Sequence, residues 1–160
     1  MANPIVIEAD LANASHGRAI IDLLDEYAQE AIIDGRPLDS AVRDSLIDRL
    51  RDHPTTCIFL AKEGDTFIGL AVCFRGFSTF RARPLMNIHD IAVTPAWRGK
   101  GIGRLLMQAV EDHARTHGFC SITLEVKDGN EPARQAYLRF GFEEGKPGDD
   151  ATRFFTKRLV

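Results

Sequence analysis

Residues 87–114, NIHDIAVTPAWRGKGIGRLLMQAVEDHA, constrain this chain more than any other stretch. An apolar strand ends at Val93, a short turn containing Pro95 follows, and Arg98-Gly99-Lys100-Gly101-Ile102-Gly103 leads into a helix. Ile102, Leu105, Leu106, Ala109 and Val110 recur at helical spacing, so the helix is amphipathic and packs by one face. A glycine-rich turn between a strand and a helix brings backbone N–H groups and the helix dipole together on an anion. Arg98, Lys100 and Arg104 add positive charge at the same place, and the combination suits a pyrophosphate. A P-loop is excluded, because Lys100 is followed by Gly101 rather than Ser or Thr. A dinucleotide fingerprint is excluded too, because the glycines run GxGxG, late in the chain and after antiparallel elements.

The rest of the chain reads as the frame for this turn. Pro4 to Ala9 is a short first strand. A helical face follows from about Ser15 (Ile20, Leu23, Leu24, Tyr27, Ala28, Ala31) and is closed by Gly35 and Pro37. A second helix carries Leu38, Val42, Leu46, Ile47 and Leu50 and ends at His53-Pro54. TCIFLAK and TFIGLAVCFRGF flank a turn at Glu63-Gly64-Asp65 and form an antiparallel hairpin. Leu85–Val93 is the strand before the turn, Cys120–Val126 another, Glu131–Phe140 a short helix and Thr152–Leu159 a closing strand. There is no repeat or linker, so residues 1–160 form one α/β domain, a mixed sheet with helices on its faces.

Composition narrows the function. Twenty Lys+Arg against 23 Asp+Glu leave a net charge of −3, so no basic field draws in nucleic acid, and an anionic ligand needs a local device. Neither a secretory signal nor a membrane-spanning run is expected, so the expected partners include neither a membrane nor nucleic acid. Cys57, Cys73 and Cys120 lie in apolar runs without CxxC or Cys/His spacing. They read as buried free thiols of a reducing cytoplasm, and no metal is expected. The acidic face of the first helix (Asp22, Asp25, Glu26, Glu30) reads as a solvated surface.

At Arg98, Gly101 and Gly103 the sequence resembles the Gcn5-related N-acetyltransferase family, whose signature is Arg/Gln-x-x-Gly-x-Gly/Ala. A second stretch, LEVKDGNEPARQAYLRFGF, resembles that family's other acetyl-CoA motif: a strand, Asn130, a short helix carrying Tyr137, then Gly141-Phe142. FSTFRARP, NEP and the late RFF resemble the diamine and thialysine acetyltransferase branch. The resemblance implies a mostly antiparallel mixed sheet of six to seven strands flanked by about four helices.

What the family does is then expected here. The co-substrate is acetyl-CoA, with no metal. Its pantetheine arm lies along Ile91, Ala92 and Val93 in a slot where two strands splay, with the Ile91 N–H directed at the thioester carbonyl. Its pyrophosphate sits on the backbone of Arg98, Gly99, Lys100, Gly101, Ile102, Gly103 and Arg104, and Asn130 contacts it. Tyr137 matches the general acid for the departing thiolate. Attack needs a neutral amine, so a base is sought among Glu125, His89 and Asp90. Glu125 precedes Tyr137 by twelve residues, a spacing that resembles the ribosomal-protein N-terminal acetyltransferase branch. Strand alternation places His89 with Asn87 and Ile91, and Asp90 on the other face. Leu124 and Val126 give Glu125 apolar neighbours, which favours it as the base. The expected activity is transfer of acetyl to a primary amine, most simply a small molecule. Protein N-terminal or lysine acetylation and a non-catalytic acyl-CoA sensor are the alternatives. A homodimer is implied by the resemblance alone.

Overall fold

The structure is a computed structural model that describes residues 3–144 and 157–158. Five strands form one sheet in the order β1 (Ile5–Glu8), β2 (Thr56–Glu63), β3 (Thr66–Ser78), β4 (Arg83–Val93), β5 (Ile122–Leu124). The first four are antiparallel neighbours and β5 joins β4 in parallel. Helices α1 (Ala14–Ala28), α2 (Ser40–Asp52), α3 (Ile102–Thr116) and α4 (Glu131–Phe140) complete it, with a 3-10 turn at Pro95–Trp97. This is the expected mixed, mostly antiparallel sheet, with five strands among the described residues rather than six to seven. The expected closing strand falls outside the described residues except for Lys157 and Arg158, which are not in a strand.

Each face of the sheet is covered once. On one side Ile102, Leu106, Val110 and Ala114 of α3 share a core with Phe59, Cys73, Met86 and Ile88. On the other, Ile20 and Leu23 of α1 and Leu50 of α2 pack on Ile58, Leu60, Leu70 and Val72. The i, i+4 spacing in α3 and the alternation along β2 and β3 are what allow one chain to feed two layers. Cys57 and Cys73 are buried free thiols, as expected, whereas Cys120 is only half-buried.

Helix ends follow local chemistry. The Asn13 side chain caps α1 by accepting from the Ser15 and His16 N–H groups at 2.9 and 3.4 Å. His53, before Pro54, takes the extended conformation that ends α2. α1 stops at Ala28, short of the expected Gly35. Gly35 N donates to the Ala28 and Glu30 carbonyls, and the Lys127 ammonium reaches the Ile33 carbonyl. These bonds fold 29–35 into turns that bring Glu30 against the Arg98 guanidinium.

Candidate active site

β4 and β5 pair only from Met86↔Ile122 to Ile88↔Leu124. Beyond Ile88 no described residue pairs with that edge of β4, so Ile91, Ala92 and Val93 border an open slot. The slot widens into a cleft of about 870 Å³. β4 forms one wall, Ala133, Ala136, Tyr137 and Phe140 of α4 the facing wall, and the start of α3 the floor. Tyr27, Glu30 and Ile32 close over it from the end of α1.

The floor is built by two left-handed glycines, Gly99 (φ +73°) and Gly101 (φ +82°). Gly101 is the N-cap of α3 and no side chain caps this end. The first intrahelical bond runs from Leu105 N to Gly101 O at 3.0 Å, which leaves the Ile102, Gly103 and Arg104 N–H groups free of helical partners. Gly101, Ile102, Gly103 and Arg104 line the cleft, so those donors and the positive end of the helix dipole face an anion-sized space.

The three cations behave differently from one another. Arg98 Nε donates to the Val93 carbonyl at 3.0 Å and its guanidinium pairs with Glu30. It therefore straps the end of β4 to the segment after α1, and its charge is largely matched within the protein. The Lys100 ammonium lies 4.7 Å from the Trp97 ring and does not line the cleft. Arg104 sits 5.7 Å from the Phe140 ring, which links floor to wall and keeps a cation at the cleft.

Asn130 caps α4, accepting from the Ala133 N–H at 3.4 Å, and lines the cleft. Tyr137, one turn before the helix ends at Gly141, packs edge-on against Phe142 at 5.9 Å. Burial pushes its phenol above the ordinary tyrosine range, so at neutral pH it holds its proton and can donate it. Tyr27 is pushed up to about 12, by burial and then by the charges of Asp90, Tyr137 and Glu30. The sequence showed Tyr27 only as part of an apolar helix face, and nothing in its spacing marked it or Glu30 as cleft residues.

The strand alternation expected around His89 is broken. β4 pairs Val72↔Asp90 but Cys73↔Ile88, so His89 is an extra residue at a β-bulge. Met86 and Ile88 pack toward α3, and so do Ile91 and Val93, three residues further on rather than two. Asn87 and His89 therefore do not share a face with Ile91. His89 is exposed and edge-on to Phe74 at 5.5 Å. Asp90 pairs across with Val72, which belongs to the α1 side of the sheet. It is half-buried, and desolvation raises its pKa against the opposing effect of His89.

Glu125 lies just past the end of β5. It is exposed and outside the cleft lining, because Ile122 and Leu124 take the core face. The burial expected from its apolar sequence neighbours is absent. The acidic face of α1 is largely engaged, since Asp25 accepts from the Leu38 N–H at 2.8 Å and pairs with Arg43 at 2.9 Å.

Residues 14–142 match the Acetyltransferase (GNAT) family. The chain belongs to the GNAT acetyltransferase family. It is 32% identical over 133 residues to YhfO of Bacillus subtilis, named as an uncharacterized N-acetyltransferase, covering 83% of this chain and 87% of that protein. It is 51% identical over 57 residues to streptothricin acetyltransferase of Streptomyces lavendulae, 36% of this chain and 30% of that one. The GNAT fold is shared with AAC(6')-Iy, solved with a bisubstrate analogue of CoA and acetylneamine. That match has a TM-score of 0.75 at 18% identity and covers 99% of this chain and all of that one (100%). This GNAT chain is an N-acetyltransferase, and among its described residues no helix is long and apolar enough to cross a membrane.

Proposed function

We propose that the chain transfers the acetyl group of acetyl-CoA to a primary amine of a small molecule by direct attack on the thioester. The observation that carries this reading is the open edge of β4 ending at an uncapped helix N-terminus, with a proton-bearing phenol on the opposite wall. A pantetheine arm adds to a free strand edge through the backbone at Ile91–Val93. The pyrophosphate is held by the free N–H groups at the start of α3, with Arg104 and Asn130 beside it. The Ile91 N–H stabilises the oxyanion that develops on the thioester carbonyl, and Tyr137 protonates the leaving thiolate.

The amine must lose a proton. Neither Asp90 nor Glu125 lines the cleft. Asp90 is favoured for that role because it is half-buried, sits next to the cleft residue Ile91 in β4, and its charge acts on Tyr27 in the cleft wall, whereas Glu125 is exposed. The comparison with AAC(6')-Iy supports a small amine as acceptor, since that protein was solved with an acetylneamine conjugate. The reading carries with it a cytoplasmic setting, where acetyl-CoA is available. Steady-state release of CoA thiol, screened against polyamines, amino acids, aminoglycosides and N-terminal peptides, tests it. Turnover with a small amine at a kcat/KM well above that of every peptide supports the proposal. Turnover with peptides alone, or with nothing that carries an amine, refutes it.

A further inference from the structure

The core has a second group of chemistry-bearing side chains on the α3 face, away from the cleft. β1 and β2 pair Glu8 with Phe59, which puts Glu8 on the same face as Cys57, two residues along β2. His113 of α3 comes down onto both. The Cys57 thiol points at Glu8 Oε1 at 3.8 Å and at His113 Nε2 at 3.9 Å. His113 Nδ1 lies 3.7 Å from Glu8 Oε2. One ligand atom from each residue lies within 4.8 Å of the other two. No contact in this triangle is as short as a strong hydrogen bond, and Cys57 has no other polar partner among the described residues.

From these three side chains we infer a divalent metal site of the zinc type, with Cys57, His113 and Glu8 as ligands and a fourth position open to solvent. The donor set is thiolate, imidazole and carboxylate, which suits Zn²⁺ or Co²⁺ rather than Mg²⁺ or Ca²⁺. A tetrahedral ion with bonds of about 2.0–2.3 Å sets its ligands about 3.3–3.6 Å apart. The short contacts use both nitrogens of His113, and with one donor atom from each residue the separations are bounded by 4.8 Å. The ligands therefore close by up to about 1.2–1.5 Å, a movement the exposed Glu8 side chain can supply. Surroundings favour a fixed site. The His113 ring is stacked on His117 at 4.1 Å and edge-on to Phe59 at 5.6 Å. His117 is itself tied to the His113 carbonyl at 2.8 Å. Access is from the Glu8 side, whose side chain is 58% exposed against 16% for His113. On binding, the metal–sulfur bond replaces the S–H bond and one proton leaves to solvent. The ligands lie 49 and 56 residues apart along the chain, so no sequence spacing reveals them. α3 starts at the cleft and carries His113 eleven residues later, about 16 Å along its axis.

The test is titration of the full chain with Co²⁺, read by its thiolate-to-cobalt charge-transfer band and by the visible bands of a tetrahedral ion. The expected result is a 1:1 complex whose charge-transfer band is lost in Cys57→Ser, strongly reduced in His113→Asn and unchanged in Cys120→Ser. No band, or a band that survives Cys57→Ser, overturns the inference. X-ray absorption of the zinc-loaded wild-type chain keeps it testable where a variant fails to fold. One sulfur at about 2.3 Å with nitrogen and oxygen at about 2.0–2.2 Å is expected, and a shell without sulfur overturns it.

Discussion

Gly101→Val separates what the turn does for the fold from what it does for the ligand. A Cβ built on Gly101 meets no atom of the described residues within 4 Å, its chain neighbours aside, so the free protein has room for the side chain. Its cost there is conformational, because φ is +82° and a β-branched residue in the left-handed region loses about 1–2 kcal/mol. Unfolding entropy of about 2.1 cal/mol/K per residue over a chain of 160 residues gives about 0.34 kcal/mol/K, so Tm falls by about 3–6 °C. On the proposed reading, the open space beside Gly101 is where the phosphates come. Val places methyl groups there and holds the phosphate oxygens off the N–H groups of the first turn. Losing two hydrogen bonds to a charged acceptor, at about 1.5–3 kcal/mol each, weakens CoA binding by about 10²–10⁴-fold. Gly101→Ala has the same backbone strain without the γ carbons, so it shows most of the Tm loss and a smaller affinity loss. Calorimetric titration with CoA and thermal melts of both variants are the assays. CoA affinity unchanged in Gly101→Val, with the Tm loss present, refutes the assignment of this turn to the pyrophosphate.

Three further outcomes are expected. Tyr137→Phe lowers kcat by about 10²–10⁴-fold with acetyl-CoA affinity nearly unchanged; a wild-type rate in steady-state assays makes Tyr137 a packing residue. Asp90→Asn removes the acidic limb of the pH profile of kcat/KM, a limb displaced above the ordinary aspartate range because burial raises this carboxyl. A raised folded-state pKa means the ionised form is disfavoured in the folded chain, so Asp90 costs stability as pH rises through that pKa. Asp90→Asn therefore melts higher than wild type at neutral pH, and the gain disappears below the unfolded aspartate pKa of about 3.9. If instead Glu125→Gln abolishes the limb and Asp90→Asn keeps it, Glu125 is the base. Gly69→Ala pushes a Cβ to 2.8 Å from the Ala92 carbonyl and 3.3 Å from Leu106 Cδ1. Overpacking of that kind costs about 1–3 kcal/mol, and because Ala92 borders the slot, CoA affinity falls with Tm in the same melts and titrations.

The parts of the site legible in the sequence are those whose chemistry is local. Gly99 and Gly101 announce left-handed backbone, and the Ile102, Leu106, Val110 period fixes which side of α3 is buried and hence which way its N-terminus points. α4 runs over the expected Glu131–Phe140 because both ends carry their own signals, Asn130 as cap and Gly141 at φ +111°. What could not be read depends on partners distant in the chain. The early end of α1 is set by Lys127 and by Gly35 bonding back, not by the apolar stripe that continues to Ala31. The employment of Arg98 depends on where Glu30 lands. Charge density around the turn was visible in the sequence, but not which cation remains free to meet a ligand.

The bulge at His89 shows how one unpaired residue decides the chemistry of the strand. Met86 and Ile88 must face α3 to close the core, and both are nearly inaccessible (0% and 3%). With strict alternation from Ile88, Asp90 would face α3 as well, among Ile102, Leu106 and Val110, where an ionised carboxylate has no partner. Ile91 would then turn toward α1. The extra residue reverses this parity. Ile91 and Val93 keep the α3 side packed, while Asp90 comes to the α1 face near Tyr27, desolvated enough to bind a proton more tightly than usual without the cost of a core charge. The bulge lies two residues before Ile91 and one past the last β4–β5 pair, so the slot opens where the parity changes. The free edge itself comes from the end of β4–β5 pairing at Ile88, on the opposite side of β4 from the bulged ladder, and the bulge adds to it the turn of Asp90 onto the α1 face.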